Sequence, residues 1–526
     1  MDNVMKKKKV YIYDALLRDG SQGEGVSFSS TDKILLARKL DDFGVDYIEG
    51  GWPGSNPKDI EFFQLIKNEK LKHAKIAAFG STRHAKNKAE EDPNLLKLIE
   101  AETPVVTIFG KCWMLHVKEA LRVDPETNLA MVSDSVKFLK SHGREVVFDA
   151  EHFFDGYKDD PYYAMTVLAA AEEAGADCFS LCDTNGGCIP QEICSIVMDV
   201  CSKFKNTPIG FHGHNDSACG VANSLMAVAA GAVHIQGTMN GVGERCGNAD
   251  LSAIIPALEL KMNCETSADI SKLTDVSRYV DEIANLAHNK RQPYTGLSAF
   301  AHKGGIHVSA MQRNEKTYEH ISPTTVGNKR RILISEQSGR ANILFKAKEM
   351  GFDVDAKSDE IKQLVEEIKQ REHNGYEYEA ADASFELLLK KALGSHSSPF
   401  EVLAFRVIDE DKCDAIISEA TVKVRVKGVE ELTAAEGDGP VNALDVALRK
   451  ALMPFFPILE KIKLIDYKVR VLPGNKDSGT AAKVRVLVES TDGKNVWGNV
   501  GVSTNIIEAS YEALIDSIEY KLLKEI

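Results

Sequence analysis

The pair His212-Gly-His214 is the sharpest local signal for chemistry in this chain. In an extended segment, residues two apart point to the same side, so both imidazoles can reach one cation. Asp19 would add an oxygen ligand, and Asn248, within GVGERCGNAD (241–250), would offer a carbonyl oxygen. A mixed imidazole and carboxylate set with open positions suits a divalent catalytic ion such as Zn, Mn, Co or Mg. The alternative is two histidines that hydrogen-bond within a loop, beside glycines that only shape a turn.

Such a set works only if the chain folds to bring distant segments to one place. Short apolar runs recur through the first half: VYIYDA (10–15), DYIEGG (46–51), KIAAFG (75–80), PVVTIFG (104–110), EVVFDA (145–150), DCFSLCD (177–183), PIGFHGH (208–214) and VHIQGTMNG (233–241). Helical patterns such as TDKILLARKLDDFG and YYAMTVLAAAEEAGA separate them, and several end near a glycine. Alternating strands and helices imply a parallel sheet. Eight such units in roughly 250 residues imply an α/β fold closed as a (β/α)8 TIM barrel, with a doubly wound open sheet as the alternative. The polar residues sit where a barrel needs them. Arg18 and Asp19 follow the first run, Glu49 closes the second and Glu151 follows the fifth; Asp183 and Thr184 end the sixth, and His212 and His214 end the seventh. In a barrel all these strand ends face one mouth.

Beyond the barrel, SKLTDVSRYVDEIANLAHNK and SDEIKQLVEEIKQREHNG carry helical spacing, with Pro323 and Gly327 breaking the stretch between them. Residues 271–395 are expected to form helical linker subdomains that cap the barrel and make dimer contacts, with GSHSSP (394–399) as a boundary. The last part has a different grammar. ATVKVRV (420–426) is followed by VEELTAAEG and the helix-like VNALDVALRKAL (441–452); AAKVRVLVES (481–490) is followed by VWGNVGV and NIIEASYEALIDSI (505–518). This reads as two related strand–strand–helix units forming a pseudo-twofold α+β domain. The resulting plan is a catalytic barrel at 1–270, helical subdomains at 271–395 and a C-terminal domain at 396–526.

The bulk properties fit an ordinary globular protein: 526 residues, 44% hydrophobic and 27% charged. A net charge of −14 with mixed signs argues against nucleic acid as the main partner. No apolar run approaches membrane-spanning length. The start, MDNVMKKKKV, lacks the apolar stretch of a secretory signal, so a cytoplasmic protein is expected. Ten cysteines include no CxxC pair, and Cys178, Cys182, Cys188 and Cys194 match no common zinc spacing; reduced, mostly buried thiols are expected.

At LLRDGSQ (16–22), FHGHND (211–216), GVGERCGNAD (241–250) and AFAHKGGIHVSA (299–310) the chain resembles the family of 2-isopropylmalate, homocitrate and citramalate synthases. GEGVSFS (23–29), EGGWPGSNPKDIEFF (49–63), AAFGSTRHA (77–85), PVVTIFGK (104–111) and EVVFDAEHFFDGYK (145–158) are most similar to its long-chain citramalate branch. The first motif departs from the family pattern: Ala15 and Leu16 stand where Thr-Thr is frequent, and Ser21 where Glu is. The resemblance implies an acyltransferase that condenses acetyl-CoA with a 2-oxo acid, turning the acyl group into an alkyl group on transfer. For the citramalate branch the oxo acid is pyruvate and the product feeds isoleucine synthesis. The alternatives are a sibling enzyme acting on 2-oxoisovalerate (the 2-isopropylmalate synthase of leucine synthesis) or on 2-oxoglutarate, and a metal-dependent carbon–carbon lyase on the same barrel.

The resemblance also implies roles. Asp19, His212 and His214 would be the ligands of the divalent ion, with Asn248 in or beside the shell. Arg18 would aim a fixed positive charge at the developing oxyanion, and Thr184 would donate to the substrate carboxylate. Glu151 would belong to the acid/base machinery. His307, from a following subdomain and often from the partner subunit of a homodimer, would share that work, and Tyr318 would help hold the acetyl thioester. The C-terminal domain resembles the allosteric domain of these synthases. Gly437 and Gly439, just before a helix start, would accommodate the carboxylate of an amino-acid feedback inhibitor, with isoleucine first and leucine second as candidates.

Overall fold

The computed structural model describes residues 7–335, 338, 340–354, 358–412, 415–472 and 482–525. The first six residues, which open the basic N-terminal stretch, lie outside the described residues. The chain divides into two compact units: residues up to Phe300 with Ile321–Lys329, and Ala301–His320 with the chain from Arg330 onward.

The first unit is a closed barrel of eight parallel strands: β1 (Tyr11–Asp14), β2 (Tyr47–Gly51), β3 (Lys75–Ser81), β4 (Val105–Lys111), β5 (Glu145–Glu151), β6 (Cys178–Asp183), β7 (Ile209–Gly213) and β8 (His234–Gly237). β8 pairs back onto β1, with Tyr11 opposite His234 and Asp14 opposite Gly237. That pairing closes the cylinder and excludes the open sheet. Side chains alternate with the pleat. Ile12, Ile48, Val106, Ile108, Phe148, Phe179, Leu181, Phe211 and Ile235 belong to the core shared with the outer helices. Tyr13, Tyr47, Ala77, Val105, Val147 and Cys178 form a separate buried cluster in the alternate phase, inside the barrel.

The outer helices start at strong local signals. Asp92, Asp124 and Asp160 each precede a proline in the first helical turn and accept a backbone N–H of that turn. The proline supplies a preset φ where no intrahelical donor is needed. The helix Ser30–Phe43 carries a full capping box at Ser29 and ends at Gly44, whose φ of 100° is left-handed.

In the second unit, helices Gly305–Arg313, Arg340–Glu349, Asp359–His373 and Asp382–Ala392 precede two antiparallel three-stranded sheets. The first sheet comprises β9 (Glu401–Lys412), β10 (Ala415–Val426) and β11 (Val429–Gly437), followed by helix Pro440–Leu452. The second comprises β12 (Lys463–Val471), β13 (Val484–Thr491) and β14 (Val496–Ser503), followed by helix Ile506–Glu525. The repeat expected from sequence is present, but each copy has one strand more than expected. In the second copy the reason is visible in β12, an edge strand on which no residue is buried, so no clear in–out alternation marks it. Both long helices contribute to one core, with Leu444 and Leu448 from the first and Ile518 and Leu522 from the second. Among the described residues, no helix is long and apolar enough to cross a membrane, and the cysteines are free.

Candidate metal and substrate site

The turn after β1 is built by its own last residue. The Asp14 carboxylate accepts from the backbone N–H of Leu16 at 2.7 Å and of Met239 at 3.1 Å. Ala15, Leu16 and Leu17 are buried without exposure. The unusual Ala15–Leu16 pair therefore serves as packing, and Ser21 donates to the Arg18 carbonyl at 2.6 Å. The turn delivers Arg18 and Asp19 to the barrel mouth.

Arg18 is clamped. Its Nε donates to Glu49 at 2.5 Å, its NH1 lies 3.2 Å from Asp19, and its guanidinium carbon stands 3.7 Å from the centre of the Phe79 ring. Glu49 is itself held by Tyr13 Oη at 2.7 Å, and that hydroxyl lies 2.8 Å from Thr107. A half-buried cation so constrained is a preorganised charge.

Asp19, His212 and His214 are all buried, with ligating atoms within 4.8 Å of one another. The Asp19 carboxylate lies 3.5 Å from His212 Nε2 and 3.8 Å from His214 Nε2, and the two Nε2 atoms are 3.3 Å apart. Burial alone would raise the Asp19 carboxyl, but the charges around it, Arg18 foremost, hold it down at about 2. Burial lowers His212 to about 3 and lowers His214 as well. At neutral pH the set is one carboxylate and two neutral imidazoles, the ionisation state in which these groups ligate metal. Asn248 Oδ1 and His214 Nδ1 are buried with no hydrogen-bond partner among the described residues. Gly247 makes the Asn248 position possible: its φ is +88°, and a Cβ there would sit 2.0 Å from the Gly241 carbonyl oxygen. The donor set and the orphaned Asn248 oxygen fit a bound divalent cation.

Arg18, Asp19, His212 and His214 line a cavity of about 230 Å³, together with Glu151, Thr184, Asp149 and Cys182. Trp52, Phe79 and Phe109 form its aromatic wall, with ring centres 5.6–5.9 Å apart. Glu151, the last residue of β5, forms an ion pair with Lys111 at the end of β4. Thr184 Oγ1 accepts from the His152 backbone N–H at 2.8 Å, which leaves its own proton to donate. His307 and Tyr318 belong to the second unit. Their rings stack on each other with centres 4.1 Å apart, His307 exposed in the first turn of its helix and Tyr318 just after a short 3-10 turn.

Gly439 has extended backbone, and a Cβ there would meet open space, while a Cβ on Gly437 would meet the Ala443 backbone nitrogen at 2.4 Å. The helix they precede has no side-chain cap. The matching start in the second repeat differs, because Asn505 Oδ1 already accepts from the Ile507 N–H at 2.9 Å.

Sequence reasoning gave no role to Glu49, Lys111, Asp149 or Gln236. Their signal was strand phase. In VVFDAE and VHIQG the polar residue occupies the inward-facing position, where a barrel interior is otherwise apolar or small.

Three family models cover the chain: HMGL-like over residues 9–280, homocitrate synthase post-HMGL domain-like over 294–375, and LeuA allosteric (dimerisation) domain over 379–522. An (R)-citramalate synthase of Geobacter sulfurreducens is 57% identical over 98% of both chains. One of Aquifex aeolicus is 56% identical over 98% of both. A 2-isopropylmalate synthase of Methanocaldococcus jannaschii is 32% identical over 100% of this chain and 97% of its own. With (R)-citramalate synthases 47–57% identical over nearly the whole of both chains, this chain belongs to the (R)-citramalate synthase family.

Proposed function

We propose that this enzyme condenses acetyl-CoA with pyruvate to give (R)-citramalate and CoA, as a cytoplasmic homodimer serving isoleucine synthesis. The observation that carries the proposal is the buried Asp19–His212–His214 group opening onto a cavity that also holds Arg18, Thr184 and Glu151. Asp19, His212 and His214 would hold a divalent ion (Zn, Mn, Co or Mg), with Asn248 in or beside the shell. When bound, that ion would polarise the ketone and carboxylate oxygens of the oxo acid. Thr184 donates to the substrate carboxylate. Glu151 removes a proton from the thioester methyl, and the resulting carbon nucleophile attacks the ketone carbon, breaking the C=O π bond. Arg18, held by Glu49, faces the oxygen that becomes an alkoxide and is then protonated. Water cleaves the thioester and releases CoA. His307 shares the proton work, and Tyr318 helps hold the thioester. A second cavity of about 710 Å³ shares Trp52 and Phe109 with the first and supports this reading by giving the thioester carrier room.

The aromatic wall favours a substrate with a methyl group. Each methylene discriminates by about 1–3 kcal/mol in an apolar pocket. In a CoA-release assay over a panel of 2-oxo acids, pyruvate is expected to give the highest kcat/KM. Preference for 2-oxoisovalerate would move the protein to the isopropylmalate branch, and preference for 2-oxoglutarate to the homocitrate branch.

The C-terminal unit is read as the regulatory part. The uncapped helix start after Gly439 supports docking of an amino-acid carboxylate there, with its apolar side chain against the paired helices. Millimolar isoleucine is expected to inhibit the full-length enzyme. Gly439 has space for a side chain without backbone strain, so Gly439→Leu should fold, keep its basal kcat and lose inhibition. If calorimetry detects binding of neither isoleucine nor leucine to the intact protein, the domain is structural only.

A further inference from the structure

The barrel interior contains a polar relay behind His212. Gln236 on β8 is the register partner of His212 on β7 and is fully buried. Its amide oxygen lies 3.1 Å from His212 Nδ1, and its amide nitrogen donates to Asp149 Oδ1 at 2.9 Å. Asp149, on β5, is buried across the barrel from both. The amide is placed with its NH₂ towards Asp149 and its carbonyl towards His212, the orientation in which Asp149 Oδ1 accepts. Even in its neutral form Asp149 keeps one oxygen as an acceptor. A carbonyl oxygen opposite His212 Nδ1 requires the ring proton on Nδ1, which leaves the Nε2 lone pair facing Asp19 and His214. His214 has no such brace, since its Nδ1 is buried without a partner among the described residues.

We propose that Gln236, braced by Asp149, is a positioning residue that fixes the tautomer and ring orientation of His212 for metal ligation. The inference rests on the metal-binding reading of the Asp19–His212–His214 group. Histidine ligands characteristically donate their second ring N–H to such a partner, and losing that partner weakens metal affinity by roughly 10–100-fold.

The test uses full-length enzyme stripped by chelation and titrated with Co²⁺, followed by its ligand-field absorption. Gln236→Met keeps length but removes the acceptor, and its Kd for Co²⁺ should rise by roughly 10–100-fold. Gln236→Glu keeps an oxygen opposite Nδ1, shares a proton with Asp149 where the amide NH₂ stood, and should bind nearly as wild type. A role in packing alone would change the melting temperature in both variants and leave both Kd values alone. A wild-type Kd in folded Gln236→Met overturns the proposal. Wild-type protein that takes up no Co²⁺ would instead remove the metal reading itself. The tautomer is read independently in the unsubstituted protein by selective ¹⁵N-histidine NMR, with His212 assigned by difference against His212→Gln. A proton on Nδ1 supports the relay, and a proton on Nε2 overturns it, even if Gln236→Met fails to fold.

Discussion

His212→Ala is expected to abolish citramalate formation and reduce bound metal well below stoichiometric, while the barrel stays folded. His212 is one of three buried donors, and the two that remain, Asp19 and His214, cannot replace its nitrogen. Shortening the side chain also disconnects Gln236 from the cluster. The folding cost is limited because His212 lies at the inner face near the mouth, and the outward residues of the same strand, Ile209 and Phe211, keep their contacts in the main core. A truncation of this kind costs about 1–3 kcal/mol, against a core of many such side chains. Elemental analysis of the purified variant, circular dichroism melting and the CoA-release assay read the three parts separately. Full activity of the wild-type enzyme after exhaustive chelation would rule out the metal mechanism altogether.

Glu151→Gln is the second large effect. The amide keeps the shape at the end of β5 but cannot take a proton, so kcat should fall by roughly 10²–10⁴-fold with metal content unchanged. The variant also leaves Lys111 without its carboxylate partner. Both side chains are partly exposed, which keeps that cost to about 1 kcal/mol. The loss of rate would therefore be chemical, and the melting temperature would show it. Exchange of the acetyl methyl protons with heavy water, measured beside turnover, reports deprotonation directly and should fall in parallel. His307→Ala is expected to act in the same direction, since His307 is read as sharing the proton work. Near-normal kcat in both variants would mean that another group takes the proton.

The two expectations depend on the barrel in different ways. His212 and His214 reach one point because they are two residues apart in one extended segment at the end of β7, a local property. Glu151 reaches the same cavity through the lateral pairing of β5 with β6 and β6 with β7, and Asp19 joins it from the turn after β1 only because the barrel closes. Closure itself rests on the β8–β1 pairing, which joins segments more than two hundred residues apart.

What the sequence determined by itself was what repeats or alternates at short range. The eight apolar runs became the eight barrel strands, because strands buried on both faces read as short continuous apolar runs and Asp-Pro or capping-box helix starts are written in consecutive residues. Strand-end polar residues marked the mouth, and His212-Gly-His214 marked the donor pair. Tertiary structure alone decided the rest. Glu49 was legible as a strand end but not as the clamp on Arg18, because that contact depends on the spacing between β1 and β2 at the mouth. Lys111 became the partner of Glu151 only when β4 and β5 paired in register, Lys111 opposite Glu151. Asp149 and Gln236 met across the barrel interior, a distance set by closure and not by spacing along the chain. The exposed edge strand β12 escaped notice for the opposite reason: with no residue buried, its pattern carried no clear record of the sheet it joins.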